Sequence, residues 1–475
     1  MISKLHLQYT AFFSFIVILL NWLLFGDLSV DFIFLFGNLA VVIFSLFLIN
    51  YAQSKYIELK GKTFVKNIFW FSFYVRIFAL FFYYILFYYI TGTEFDIEAL
   101  DAIWYDEIAQ LTSASFIDGT FSISSFLINV KGNFDDSGYI FFLSAIYSLF
   151  DNSVIVARLI QALLSAFTVV LIYKIGREIF EEQTGKLSAI LAGAFQPLLL
   201  YASIHLKETL MIYFLILFMY QSIKIVKYNE TIIPLFLLVF SFLALLSLRT
   251  VVGLTALVSL VGYLMLSAKY SLPKKLIVLF SMSFIIYFLA INISILEGAV
   301  EKSKKYAGVE TDGKVKTGGT SGGQIASSGQ SFAKYAGGGV FLLQSIVMPY
   351  PSMVKTNIVF YNQTLQWYFA GGLLIWAFLS YYAYVGIYYS VKNQFKQSSI
   401  LIFNAGIYTA ALISSFYMTS IRFNIIKLVL LIPFVAFGIV SSNKRIKGNF
   451  IKYAIVMCII VLIWNYIKLA GRGWV

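Results

Sequence analysis

The stretch that decides the fold reads Val154-Ile-Val-Ala-Arg158-Leu-Ile-Gln-Ala-Leu-Leu-Ser-Ala-Phe-Thr-Val-Val-Leu-Ile-Tyr-Lys174. It is almost wholly apolar, and its length of about 20 residues suits a helix that crosses a ~30 Å hydrocarbon core. Similar runs follow one another along the 475 residues, of which 60% are hydrophobic, and the mean hydropathy is +0.85. This composition predicts an all-α polytopic membrane protein and excludes a soluble globular one.

Apolar runs of this kind predict about thirteen transmembrane helices. The predicted spans are residues 7–25, 30–50, 67–91, 153–174, 186–203, 208–226, 231–248, 250–268, 275–293, 364–390, 398–416, 422–440 and 452–470. With the N-terminus inside, every cytoplasmic connection carries lysine or arginine, as the positive-inside rule requires. This anchoring explains the net charge of +13, so the sequence predicts membrane lipids and no nucleic acid as partners.

The predicted topology divides the chain into four parts. Residues 1–66 hold two N-terminal anchor helices and a cytoplasmic loop, and residues 67–293 form a transmembrane core whose first outer loop covers residues 92–152. A long outer loop follows at residues 294–363, and residues 364–475 hold the C-terminal helices.

Three short stretches of the predicted outer loops have distinctive compositions. Residues 139–150 are apolar but too short to cross, so we expect a juxtamembrane helix on the outer face. Residues 313–329 are rich in glycine and serine and lack apolar periodicity, which is typical of either a solvated linker or a lid over an active site. Residues 340–351 are apolar and end in Pro349-Tyr-Pro351, and we expect them to lie along the membrane surface.

The first outer loop concentrates acids in a chain that is only 12% charged. The pattern from Leu100 to Ala109 predicts a short amphipathic helix on the outer face, with Asp101 and Tyr105 one turn apart. The acids either serve chemistry or simply keep a surface loop solvated. They are Asp96, Glu98, Asp101, Asp106 and Glu107.

Ionisable groups also stand at the outer ends of the predicted spans. They are Arg158, His205, Lys207, Glu208, Arg249 and Arg422. A charge in or near hydrocarbon is costly unless it is paired or hydrated, so these groups either line a shared polar cavity or reach singly to the interface. A cationic cavity beside carboxylates suits a lipid-linked phosphate. Arginine forks and an ammonium can hold the phosphate as it leaves, while a carboxylate deprotonates an attacking hydroxyl.

Around these residues the chain resembles the GT-C superfamily of integral-membrane glycosyltransferases, especially the bacterial relatives of protein O-mannosyltransferases and of the aminoarabinose transferase acting on lipid A. The similar segments are Asp101-Ala-Ile-Trp-Tyr105 with Ile108-Ala109, Ser137-Gly-Tyr139, Arg158 with Tyr173-Lys-Ile-Gly-Arg177, Ala194-Phe-Gln-Pro197 to Lys207-Glu-Thr-Leu210, and Arg422-Phe-Asn. The resemblance is dense over residues 67–225 and sparse afterwards. Ala102 stands where the family often has Glu, and Asp135-Asp136-Ser137 replaces a basic residue and Pro-Pro.

The resemblance implies transfer of one sugar from a polyprenyl-phosphate carrier to a glycan, lipid or protein acceptor. The active site would lie on the extracytoplasmic face of the inner or plasma membrane. Asp101 is implied as general base, and the phosphate environment would consist of Arg158, Lys207, Arg249 and Arg422.

Tyr105, His205 and Glu208 complete the substrate-binding set that the resemblance implies. The second acid stays open among Glu98, Asp106 and Glu107. A divalent metal is an option without assigned ligands, because the single cysteine and two histidines exclude a cysteine cluster and leave little for a histidine site.

Two other functions are compatible with outer-face arginines. A polysaccharide polymerase or ligase would use diphosphate-linked oligosaccharides and would not depend on the early acids. A lipid-linked sugar flippase would need polar residues deep within several helices, and the main deep charges here are Arg76 and Lys427.

Overall fold

A computed structural model describes residues 2–95, 100–130, 134–228, 232–267, 345–354, 365–414 and 421–470. The regular structure of these ranges is helical, apart from a single antiparallel bridge between Ser29 and Val354. The prediction of an all-α polytopic membrane protein is confirmed. Glu98, the predicted span 275–293 and the glycine-rich residues 313–329 lie outside the described residues.

Fifteen α-helices are described, and we number them in chain order. They are α1 Lys4–Phe25, followed by a 3₁₀ turn Gly26–Leu28, α2 Phe32–Tyr56, α3 Gly61–Thr91, α4 Leu100–Ile117, α5 Ile123–Asn129, α6 Phe134–Phe150, α7 Val154–Ile179, α8 Glu182–Ala194, α9 Gln196–Tyr201, α10 Glu208–Tyr228, α11 Ile232–Leu266, α12 Leu365–Asn393, α13 Phe395–Ser414, α14 Ile421–Val440 and α15 Lys444–Ala470.

Within the described ranges, nine helices are long and apolar enough to cross a membrane, so the predicted count of about thirteen is not confirmed. The predicted span 186–203 is divided into α8 and α9 at Phe195, because Pro197 lacks an N–H and cannot continue a helix from α8. The predicted spans 231–248 and 250–268 correspond to the two halves of α11, on either side of an interruption at Arg249. The span predicted at 398–416 corresponds to α13, which is not among the nine.

Helix α11 is interrupted at Arg249, whose backbone is extended (φ −165°, ψ 105°). A Cβ built on Gly253 would lie 3.3 Å from the backbone nitrogen of Leu246, although residues seven apart in a straight helix are separated by about 10 Å. The two halves of α11 therefore fold back on each other around Arg249. This agrees with the sequence pattern of two apolar runs separated by that arginine.

Basic loops and the predicted site lie at opposite ends of the bundle. At one end, the Lys186 ammonium donates to the Ile57 carbonyl (2.9 Å) and the Lys227 ammonium donates to the Glu178 carboxylate (3.0 Å). Helix α7 joins this end to Arg158, which lies 19 residues before Arg177 and so about 28 Å away. Three connections predicted to be cytoplasmic thus meet at the end remote from Arg158.

Residues 345–354 are packed inside the protein, which corrects, for residues 345–351, the expectation that the stretch 340–351 lies along the membrane surface. Residues 340–344 lie outside the described residues. The Lys427 ammonium donates to the carbonyls of Ser345 (2.6 Å) and Met348 (2.7 Å). The Met353 carbonyl accepts from Asn21 (3.0 Å), and its N–H donates to Asn465 (2.9 Å). Polar side chains of α1, α14 and α15 therefore satisfy an irregular backbone that could not face lipid.

Candidate active site

Arg422 joins two acids from distant parts of the chain. Its guanidinium donates through Nη1 to the Asp101 carboxylate and through Nε to Glu208 Oε1 (2.5 Å). Asp101 lies in the first turn of α4 and its side chain is 52% exposed, whereas Glu208 opens α10 and is fully buried. Glu208 Oε2 has no hydrogen-bond partner among the described residues. These three residues, the Arg422 cluster, place an accessible carboxylate beside a half-buried cation.

Lys207 forms the centre of a second group with Tyr105 and Asp136, which we call the Lys207 cluster. The buried Lys207 ammonium forms an ion pair with Asp136, and the Tyr105 hydroxyl donates to Asp136 Oδ1 (2.7 Å). Burial alone would raise the pKa of the Asp136 carboxyl, but the charge and hydrogen bond of Lys207 and the Tyr105 hydroxyl lower it. Burial and the neighbouring charge of Arg249 lower the pKa of Lys207 to about 8.

The lowered pKa of Lys207 predicts a pH limit for activity. The ammonium is the protonated form, so the ion pair with Asp136 is present below about pH 8 and is lost as the pH rises through that value. We expect turnover to fall over this range. Lys207→Arg should remove the decline, because arginine stays charged. Equal declines in the turnover of the parent and of Lys207→Arg between pH 6.5 and 9.5 would contradict this role of Lys207.

Arg249 lies at the turn of α11 and faces α14. Its guanidinium carbon is 4.4 Å from the centre of the Phe423 ring, the residue next to Arg422, and the guanidinium also interacts with the Tyr408 hydroxyl. Its Nη1 is buried and has no hydrogen-bond partner among the described residues. A desolvated guanidinium with an open donor is suited to binding an anion.

A third group surrounds Tyr147 and holds two further residues of the predicted set. The Tyr147 hydroxyl donates to Asp106 Oδ1 and lies 3.3 Å from His205 Nε2. Arg158 donates to the Glu94 carbonyl (2.9 Å), and its charge acts on both Asp106 and His205. Burial and the charge of Arg158 lower the pKa of His205 well below its usual value, so the ring is neutral at pH 7. Burial raises the pKa of Asp106.

Residues 138–294 match the family model for dolichyl-phosphate-mannose-protein mannosyltransferases. The chain carries a GT-C-type glycosyltransferase domain. No curated protein matches the chain. The matched segment includes Arg158, His205, Lys207, Glu208 and Arg249.

Asp101, Tyr105 and Arg422 lie outside the segment that matches the mannosyltransferase model. Arg422 contacts Glu208 within the segment and also binds Asp101, while Tyr105 donates to Asp136, two residues before the segment begins. The contacts of Arg422 link the first turn of α4, the start of α10 and the start of α14. The GT-C-type domain and its flanking helices thus share one polar region.

Sequence reasoning missed Asp136 and Tyr147 as members of this region. In the sequence, Asp135-Asp136-Ser137 stands out only as a departure from the resemblance, although two adjacent acids just before the predicted juxtamembrane helix are the available signal. Of the open second acids, Asp106 is bound by Tyr147 and Gln110 (2.7 Å), and Glu107 is exposed. Among the described residues, Glu208 is the acid that shares a cation with Asp101.

No group of three or more His, Cys, Asp or Glu side chains in the described ranges is arranged to hold a metal ion.

Proposed function

We propose that this GT-C-type glycosyltransferase transfers one sugar from a polyprenyl-phosphate carrier to a hydroxyl of a glycan, lipid or protein. The reaction would take place on the extracytoplasmic face of the membrane. The observation that carries the proposal is the Arg422 cluster, in which an exposed carboxylate from α4 and a cation from α14 lie together. Arg249, which has an open donor, packs on the ring of Phe423, the residue next to Arg422.

In the proposed reaction the acceptor hydroxyl attacks the anomeric carbon of the donor sugar. The bond from that carbon to the phosphate oxygen breaks, and the phosphate leaves with the bonding electron pair. Asp101 takes the proton of the attacking hydroxyl, which requires an accessible carboxylate within hydrogen-bond reach. Its 52% exposure meets the first of these requirements.

Arg249 and Arg422 are the proposed phosphate ligands. Charge-assisted hydrogen bonds from guanidinium to phosphate are short and about twice as strong as neutral ones, and they strengthen as negative charge develops on the leaving group. A guanidinium has five N–H donors, so Arg422 can hold two carboxylates and still reach a phosphate. Lys207 and Arg158 add positive charge, while Tyr105, His205 and Glu208 form the buried walls of the site.

The donor class is tested by incubating purified protein with radiolabelled sugars on three carriers: polyprenyl phosphate, polyprenyl diphosphate and nucleotides. We expect transfer of label to an acceptor fraction from the monophosphate carrier alone, with release of polyprenyl phosphate. Transfer only from the diphosphate carrier, unaffected by Asp101→Asn, would instead establish a polymerase or ligase. Movement of intact donor across vesicles without transfer would establish a flippase.

The proposed orientation predicts the labelling of introduced cysteines. In a Cys458→Ser background, Asp118→Cys and Lys62→Cys both place a thiol at an exposed position. The proposed topology assigns these two positions to opposite faces of the membrane. An impermeant thiol reagent added to intact cells should label the first variant and not the second. Permeabilised cells, in which both should react, are the control. Labelling of Lys62→Cys alone in intact cells would reverse the orientation.

A further inference from the structure

The turn of α11 leaves polar backbone groups on both sides of Arg249. When a helix ends, its last carbonyls lose their partners, and when the next helix begins, its first N–H groups have none. Such groups are costly away from water, so a tight reversal near the membrane needs partners from other parts of the chain. Here the partners come from α6 and from the turn before α10.

Lys207 satisfies the first side of the break. Its ammonium donates to the Leu248 carbonyl (2.7 Å), to the Asp135 carbonyl (2.7 Å) and to the Asp136 carboxylate. An ammonium has three N–H donors, and these contacts use all three. Lys207 is 2% exposed. Its charge therefore acts on the site while its donors hold the backbone next to Arg249.

Asp135 satisfies the second side of the break. Its Oδ1 accepts from the Thr250 backbone N–H (2.9 Å) and from the Thr250 hydroxyl (2.5 Å). A carboxylate that accepts a first-turn N–H acts as a helix N-cap, although here it is supplied by another helix. The second half of α11 therefore begins at Thr250 because Asp135 caps it.

Helix α6 reaches the break because it packs very closely against α11. A Cβ on Gly138 would lie 2.2 Å from the Ser247 hydroxyl oxygen and 2.9 Å from the Ser247 Cβ, so a side chain could not fit there unless Ser247 moved. Gly138 follows Asp135 by one helical turn. The close approach thus brings the Asp135 carboxylate to Thr250.

We propose that Asp135 and Lys207 are positioning residues for the donor phosphate. They fix the break of α11 on its two sides and so direct the guanidinium of Arg249 towards Phe423 and the Arg422 cluster. This inference rests on the proposed role of Arg249 as a phosphate ligand. Lys207 would then influence phosphate binding by holding the Leu248 carbonyl next to Arg249, and it would not contact the phosphate itself.

The test compares donor KM and kcat for Asp135→Leu, Asp135→Asn and Thr250→Val. Asp135→Leu removes the cap and should raise donor KM about 10-fold or more, with a smaller change in kcat. Asp135→Asn keeps an acceptor oxygen and should stay close to the parent. Thr250→Val removes only the hydroxyl contact and should raise KM a few-fold without endangering folding. Asp118→Leu, an exposed acid in the α4–α5 turn, is the matched control.

A double-variant cycle separates positioning from a general structural role. If Asp135 acts through Arg249, Asp135→Leu combined with Arg249→Ala should bind donor no worse than Arg249→Ala alone. Additive losses, or an unchanged KM in Asp135→Leu and Thr250→Val, would overturn the proposal.

Hydrogen exchange distinguishes failure of the positioning role of Asp135 from failure of the proposed role of Arg249 as a phosphate ligand. The amides of Thr250 to Gly253 should exchange faster in Asp135→Leu than in the parent, whether or not Arg249 binds donor. If Arg249→Ala binds donor normally while these amides exchange faster in Asp135→Leu, Arg249 is not a phosphate ligand, but Asp135 still caps the second half of α11. Unchanged exchange would overturn the capped break itself.

Discussion

Asp101→Asn is expected to lower the rate of sugar transfer by about 100-fold or more, the usual scale for losing a general base. Asparagine keeps the shape of the side chain but cannot take the proton of the acceptor hydroxyl. The fold should survive, because the Asp101 side chain is 52% exposed and a surface ion pair with Arg422 contributes only about 0–1 kcal/mol. Initial rates at saturating donor would measure the loss.

The matched control is Glu107→Gln, which neutralises an exposed acid on the same helix. It should retain parental turnover. Near-normal turnover of well-folded Asp101→Asn, with a large loss in Glu107→Gln or Asp106→Asn, would move the role of base to another acid of α4.

Arg422→Ala is expected to have the second large effect, on both stability and donor use. Removing the guanidinium leaves the fully buried Glu208 carboxylate without its described partner, which typically costs about 3–5 kcal/mol of folding free energy. It also removes one of the two proposed phosphate ligands. A lower midpoint of thermal unfolding and a lower kcat/KM should therefore appear together.

The variant Arg422→Ala with Glu208→Gln separates the two effects. Neutralising Glu208 should restore much of the thermal stability, because the buried charge is gone, but it should not restore donor use. Arg422→Lys should also use donor poorly, since a point charge cannot reach two carboxylates and a phosphate as a planar fork can. Full recovery of kcat/KM in the double variant would show that Arg422 is structural only.

The sequence was sufficient for features that depend on local composition. Apolar runs predicted the helical membrane fold, and the isolated position of Arg249 between two such runs indicated the reversal that α11 makes there. Asp101 and Tyr105, four residues apart, were correctly predicted to share a helix, α4. These properties depend on residues that are close together in the chain, so they can be predicted from a single sequence.

Pairing between distant residues could not be predicted in the same way. Arg422 and Asp101 are separated by 321 positions, and nothing in either segment specifies the other. The predicted topology puts Lys207 on the outer face, and a phosphate contact was expected for that reason alone. In the structure, its three N–H donors bind Asp136 and two backbone carbonyls. Likewise, hydropathy predicts a single span over residues 186–203, where the structure has the two helices α8 and α9. Hydropathy does not show that Pro197 lacks a backbone N–H and interrupts the helix.

The most direct test of the central claim is a structure of the protein in lipid nanodiscs with a bound polyprenyl-phosphate sugar. We expect the donor phosphate within hydrogen-bond distance of the guanidinium groups of Arg249 and Arg422, with the sugar facing Asp101. A phosphate bound elsewhere, for example among the basic residues near Lys174 and Lys224, with Arg249 still packed on Phe423 and Arg422 on Glu208, would contradict it.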